Sequence, residues 1–230
     1  TILEGDHIAF LPYVVLAALV MIFFMTVGMR DFPREELGER LPIKDTLKRP
    51  DVMALLLACF LQLVSHGPYY TFFTIYIQEY GYSLDLAGQL WALGVFAEVI
   101  LFLWMHRLLV HFSAAKLLQL SILLTAIRWM LTALFVDSLP VLLFSQLLHA
   151  ASYGLFHASA IHMVFNMFPG RLQGRGQALY ASFSFGLGGA VGALLSGYAW
   201  ETWGASWSFG LAAIVSLLAL IIAHLGLRRT

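Results

Sequence analysis

Two ionisable residues of opposite sign, Glu98 and Arg128, stand near the middles of apolar segments. At a helix centre in a bilayer either one alone opposes insertion by about 3 kcal/mol, so each needs a partner or a purpose. They fall on neighbouring segments at similar depth, and mutual pairing is the simplest relief. Two chemistries are open. The pair is a static salt bridge that fixes helix packing, or it lines a water-filled cavity and binds substrate or exchanges a proton. Buried ion pairs are unreliable stabilisers, which favours the second reading. Three deep histidines, His66, His149 and His157, extend the set. Imidazole changes charge near neutral pH and suits reversible proton transfer, although a membrane histidine also serves simply as a hydrogen-bonded packing residue. His149, Tyr153 and His157 recur at i, i+4 and i+8, a polar stripe two helical turns long. Gln62, His66, Tyr69 or Tyr70, and Phe73 share another helical face. Trp91 stands seven residues before Glu98, and Trp129 adjoins Arg128. Tyr69, Tyr70, Trp91 and Trp129 would suit stacking against a ring, in segments where aromatic side chains are common anyway. His106, His111 and His224 lie near segment ends and read as interfacial.

Other chemistries find little support. No His-x-x-x-His pair exists, and His157 and His162 are spaced for opposite sides of a helix, so no metal or other cofactor is expected. No nucleophile–base pair suggests an intramembrane enzyme. Net charge is zero without a basic cluster, which gives nucleic acid no foothold. The single cysteine, Cys59, forbids an intrachain disulfide.

The elements that must position these residues are helices in a bilayer. Hydrophobic residues make up 60% of the 230, charged residues 11%, and mean hydropathy is +0.83, well outside the balance of a soluble domain. Seven apolar stretches follow one another: Ile8–Met29, Val52–Ile77, Leu86–Met105, Leu117–Val136, Pro140–Phe165, Ala178–Ala199 and Trp207–Leu225. Each has about 20 residues or more, enough to cross some 30 Å of hydrocarbon as a helix. Only a helix satisfies its own backbone there without the period-2 alternation of a barrel strand. Twelve of the thirteen basic residues fall in alternate connections: Arg30, Arg34, Arg40, Lys44, Lys48 and Arg49, then Arg107 and Lys116, then Arg171 and Arg175, then Arg228 and Arg229. The connections between them carry only acids, Glu79, Asp85, Asp137 and Glu201. This alternation is the positive-inside pattern. It predicts an N-terminus outside, a cytoplasmic C-terminus and seven crossings.

Connection lengths divide the chain. Five are short, so sequential helices are expected to pack as antiparallel neighbours. The stretch from Arg30 to Pro50 is long, charged and bears Pro33, Pro42 and Pro50. We expect a single transmembrane helix over 1–29, a cytoplasmic linker over 30–50 and a six-helix unit over 51–230. The chain opens at Thr1 without an initiator methionine, which reads as the back end of something larger. A complete seven-helix protein of rhodopsin type fits less well: the seventh segment has no lysine for retinal, and the long loop is misplaced. Six helices divide into inverted 3+3 repeats of the transporter kind, with Val52–Ile77 and Pro140–Phe165 as corresponding first members. Gly188-x-x-x-Gly192 with Ser196 forms a small-residue ridge for close helix contact. Pro169 to Gln177 reads as a tight cytoplasmic turn.

At this level a family becomes recognisable. Ser65-His66-Gly67-Pro68-Tyr69-Tyr70-Thr71-Phe72, Gly81-Tyr82-Ser83 and the run Gly88 to Val99 through Trp91 and Glu98 resemble the phenylpropionate permease group of the major facilitator superfamily, as does Arg128-Trp129. The resemblance covers the second to the seventh helix, the superfamily's C-terminal half. It implies that Ile8–Met29 matches the sixth helix of a twelve-helix transporter whose N-terminal half is missing here. A more distant likeness is to the lactose permease family, which also carries an acid, an arginine and a histidine on three successive helices. Glu98, Arg128 and His157 or His149 occupy those places, but the further acid one turn beyond the histidine is absent, since Ala160 and Ser152 stand there. These likenesses imply an all-α, multi-pass protein of the bacterial inner membrane that carries a small organic solute, an aromatic acid or a nucleoside-like molecule, together with protons. In that reading Arg128 binds a carboxylate, and Glu98 or a deep histidine holds the proton. The rival reading is a non-transporting membrane receptor or sensor with the same bundle.

Overall fold

The structure is a computed structural model, and it describes residues 43–227. The expected first helix, Ile8–Met29, and most of the linker lie outside the described residues. After a helical turn at Ile43–Leu47, six helices are long and apolar enough to cross a membrane: α1 (Pro50–Glu79), α2 (Leu84–His111), α3 (Ala114–Leu134), α4 (Leu139–Met167), α5 (Gly170–Trp203) and α6 (Ala205–Gly226). The chain is an all-α, multi-pass integral membrane protein.

Local chemistry explains the boundaries. Proline occupies the first turn of α1 and of α4, where its missing N–H has no helical partner anyway. Ser83 and Ser113 cap α2 and α3, their hydroxyls accepting from Leu86 N–H at 3.2 Å and Lys116 N–H at 3.3 Å. Gly204, at φ +89°, separates α5 from α6 with a backbone conformation that side chains resist. The reverse turn expected from Pro169 to Gln177 is shorter than that. The chain is helical from Gly170 onward, because Gly176 lets the first turns of α5 press directly on Phe168, where any Cβ would collide.

α6 packs along α3 and α1, α2 along α4, and α5 along α1. The α5–α1 contact is the glycine ridge. A Cβ on Gly192 would stand 2.6 Å from the Val64 carbonyl oxygen, and one on Gly188 would stand 2.9 Å from that of Phe60. Bilayer lipid provides no hydrophobic drive between helices, so this close backbone approach, with its dispersion and polar contacts, holds α5 in place.

Apolar packing forms two main clusters. One gathers Leu55, Cys59, Leu118, Ile122, Phe156, Val164, Phe168 and Ala223; the other gathers Tyr69, Phe73, Tyr76, Trp129, Leu142 and Phe209. Between them runs a buried polar layer containing Gln62, His66, Thr125, Arg128, Gln146, His149, Ser152 and Ser216. Gln62 ties this layer across helices. Its amide donates to Thr125 Oγ1 at 2.6 Å and approaches the Ser152 carbonyl at 3.5 Å, and its Oε1 accepts from Ser216 at 3.5 Å. The two helices expected to correspond as repeat members, α1 and α4, are both interrupted at this depth. α1 breaks at His66 ahead of Gly67-Pro68, and α4 opens into a π-helical stretch at Ala150–Leu155.

Candidate functional site

The interruptions in α1 and α4 aim the site. In α1 the helix ends in a tighter turn, with His66 N–H donating to Leu63 O at 3.2 Å, and Pro68 provides no N–H to continue the ladder. The Gln62 carbonyl is taken by side chains instead, accepting from Ser65 Oγ at 2.7 Å and from His66 Nδ1 at 2.8 Å. In α4 the π turn rotates Ser152 inward, so that its carbonyl meets Gln62 and its hydroxyl meets Arg128. Single-turn π insertions of this kind recur at functional sites. Two glycines let α2 lean against α4. A Cβ on Gly94 would touch the His149 side chain at 3.2 Å, and one on Gly154 would stand 2.9 Å from Glu98 Cγ. Larger residues there would push Glu98 away from α4.

Arg128 is fully buried. Its Nη1 donates to Ser152 Oγ at 3.0 Å and to His149 Nδ1 at 3.1 Å, and its Nη2 donates to Gln146 Oε1 at 3.2 Å. The guanidinium carbon lies over the rings of Tyr69 and Trp129, at 4.1 and 4.7 Å from their centroids, a geometry the ring quadrupoles favour. Tyr69 donates its hydroxyl to the same Gln146 oxygen at 2.8 Å. Among the described residues the Arg128 Nε–H and the Gln146 amide nitrogen have no acceptor.

The direct Glu98–Arg128 ion pair expected from their depth and sign does not form; His149 stands between them. Its Nε2 lies 3.5 Å from Glu98 Oε2 while its Nδ1 faces Arg128. An arginine only donates, so Nδ1 is the acceptor and Nε2 carries the hydrogen directed at Glu98. The reason for the difference is which helices pack together: α2 and α3 each dock on α4, so a residue of α4 meets both Glu98 and Arg128.

The polar stripe expected along α4 is present as a stack. His149 and Tyr153 are parallel within 4° at 5.6 Å, and Tyr153 and His157 within 10° at 6.1 Å. His157 is two turns from the Arg128 cluster, with its Nδ1 against the Tyr180 hydroxyl at 3.2 Å. Trp91 donates to Thr74 Oγ1 at 3.2 Å and packs on Tyr69 at 4.4 Å and Tyr70 at 6.1 Å. Tyr70 is 49% exposed and stacks on His66, which adjoins Trp129 edge-on at 5.0 Å. Tyr69, Tyr70, Trp91, Trp129, His66 and His149 thus meet around Arg128, with Glu98 at the margin and His157 apart. Gln146 and Ser152 are the residues the sequence reading passed over. Gln146 stands one turn before His149, where a polar residue in an apolar stretch was visible. Ser152 reaches Arg128 only through the π turn, for which the sequence carries no signal.

Comparison with known proteins bears on this arrangement. A model of the MFS_1 like family matches residues 1–211. The "Probable 3-phenylpropionic acid transporter" of Escherichia coli (strain K12) is 32% identical over 176 residues, covering 76% of this chain and 45% of that protein. The "Maltose permease" of Geobacillus stearothermophilus is 28% identical over 229 residues, covering 95% of this chain and 57% of that protein. The chain therefore spans about half the length of the curated relatives it matches.

Proposed function

The chain belongs to the MFS_1 like family, and from that premise we propose that it supplies the C-terminal half of a proton-coupled symporter for a small organic solute, an aromatic acid or nucleoside-like molecule. The observation that carries this reading is the position of His149 between Glu98 and Arg128. A proton on Nδ1 and the Arg128 contact exclude each other, because both need the same lone pair. A solute carboxylate that draws the guanidinium toward itself frees Nδ1 to take a proton, and Glu98 then faces an imidazolium it can pair with. Solute and proton thereby favour each other's binding, which is the reciprocity a symporter requires. The neighbouring Arg128 Nε–H and Gln146 amide, both without acceptors among the described residues, are donors a carboxylate would satisfy. That one relative is described as a "Probable 3-phenylpropionic acid transporter" agrees with an aromatic acid as solute.

The test uses the full-length protein in sealed vesicles with 3-phenylpropanoate as probe. Solute addition is expected to drive proton uptake into the vesicle lumen, with the two fluxes in fixed ratio. A receptor with the same bundle would bind the probe without net movement of either, and solute uptake without proton movement would refute the coupling.

Charge alternation supports an orientation in the bacterial inner membrane with the C-terminus in the cytoplasm. Single cysteines introduced at Ser113 or Arg171 of a Cys59-free protein are expected to resist an impermeant thiol reagent in intact cells. Cysteines at Ser83 or Ser138 are expected to react. The opposite pattern would invert the topology.

A further inference from the structure

We propose that His66 reads the solute's ring, its Nε2 accepting a hydrogen bond from an O–H or N–H that the ring bears; the proposal rests on the aryl-acid reading above and narrows it to aromatic acids with a donor on the ring. The tautomer follows from the break in α1. A carbonyl only accepts, so at 2.8 Å from Gln62 O the His66 Nδ1 carries the hydrogen. Nε2 is then a lone-pair acceptor, wholly buried and without a partner among the described residues. The structural task at the helix break uses Nδ1 alone, and an asparagine amide could perform it. Nothing among the described residues uses Nε2, and a buried acceptor left unmet is unfavourable.

The surroundings indicate what would meet it. His66 is bounded by the rings of Trp129, Tyr70 and Tyr153, at 5.0, 5.9 and 6.4 Å. Of these, Tyr70 is 49% exposed, and it borders a cleft of about 170 Å³ between α1 and α5. Trp129 also lies against the Arg128 guanidinium. The aromatic group is therefore flanked by two donors without acceptors, Arg128 Nε and Gln146 Nε2, and by one acceptor without a donor, His66 Nε2. The complement of that set is a molecule with an anionic acceptor at one end, an aromatic body, and a hydrogen-bond donor on the ring. A hydroxyaryl alkanoic acid has that form.

The experiment measures binding of three probes to the full-length protein in nanodiscs: 3-phenylpropanoate, 3-(3-hydroxyphenyl)propanoate and 3-(4-hydroxyphenyl)propanoate. One hydroxylated acid is expected to bind about tenfold more tightly than the unsubstituted acid, the scale of satisfying a buried acceptor. His66→Asn retains a donor for Gln62 O and loses the distal acceptor, and it is expected to bring the ratio to about one. His66→Gln, whose amide oxygen can reach the Nε2 position, is expected to keep a preference. Equal affinities in the parent would overturn the proposal even if the variants failed to fold, as would a full preference in a folded His66→Asn protein. A parent that bound none of the three acids would overturn the aryl-acid reading itself, a failure distinct from binding all three alike.

Discussion

Arg128→Lys is expected to lower solute uptake by on the order of a hundredfold while the protein still inserts and stays folded in detergent. The guanidinium meets Gln146 Oε1, Ser152 Oγ and His149 Nδ1 through its two terminal nitrogens and contacts the rings of Tyr69 and Trp129. Lysine keeps the charge but places it at a point, and it cannot span three acceptors spread along α4. Losing one or two charge-assisted hydrogen bonds forfeits about 3 kcal/mol, and each 1.4 kcal/mol is roughly tenfold. Arg128→Ala is expected to fail more broadly. It leaves three buried acceptors facing a void in the polar layer, so the melting temperature should fall along with uptake. Uptake by Arg128→Lys within a fewfold of the parent, measured at equal surface expression, would show that the fork geometry is dispensable.

Glu98→Gln is expected to separate accumulation from exchange. Glutamine has nearly the same shape, so its packing over Gly154 survives, and it can still accept from His149 Nε2. It cannot offer a charge to an imidazolium. Exchange of labelled solute across the membrane is therefore expected to persist within a fewfold, whereas accumulation driven by a proton gradient should drop by on the order of tenfold or more. Accumulation needs a proton site whose occupancy differs between the two facing states; exchange does not. His149→Gln should behave likewise, since it removes the shared lone pair. His66→Gln and His157→Gln serve as comparisons: His66 is held at the α1 break, and His157 faces Tyr180. If Glu98→Gln, His66→Gln, His149→Gln and His157→Gln all accumulate solute like the parent, the proton carrier lies outside these helices.

The membrane architecture was open to reading from the chain alone because its causes are local. A segment of some 20 apolar residues, a proline or serine at its start and a glycine at its end act over a few positions. They place the helix ends of α1, α3, α4 and α6 and the start of α2 within three residues of where they fall, whereas α2 runs six residues past its expected end at Met105, to His111. The start of α5 escaped because Gly174 and Gly176 imitate a loop, whereas the smallness of Gly176 serves contact with Phe168, a neighbour that only the folded chain provides. The depth of Glu98, Arg128, His66, His149 and the four aromatic residues was legible for the same reason, since a polar residue inside an apolar run declares its own burial.

Which of these residues touch was decided by the tertiary structure. Equal depth and opposite sign favoured a Glu98–Arg128 pair, but depth is one coordinate of three. The angular position of each side chain around its helix, and which helices are neighbours, depend on packing over the whole bundle. Gly94 and Gly154 bring α2 against α4, and the π turn at Ala150–Leu155 turns Ser152 inward, so that His149 rather than Glu98 receives Arg128. Sequence determined that charges and imidazoles would be buried together in a membrane helix bundle, because hydropathy and charge are properties of residues. The order in which they connect, Glu98 to His149 to Arg128 to Gln146, was left to the fold, because a hydrogen bond depends on ångström distances that helix packing sets.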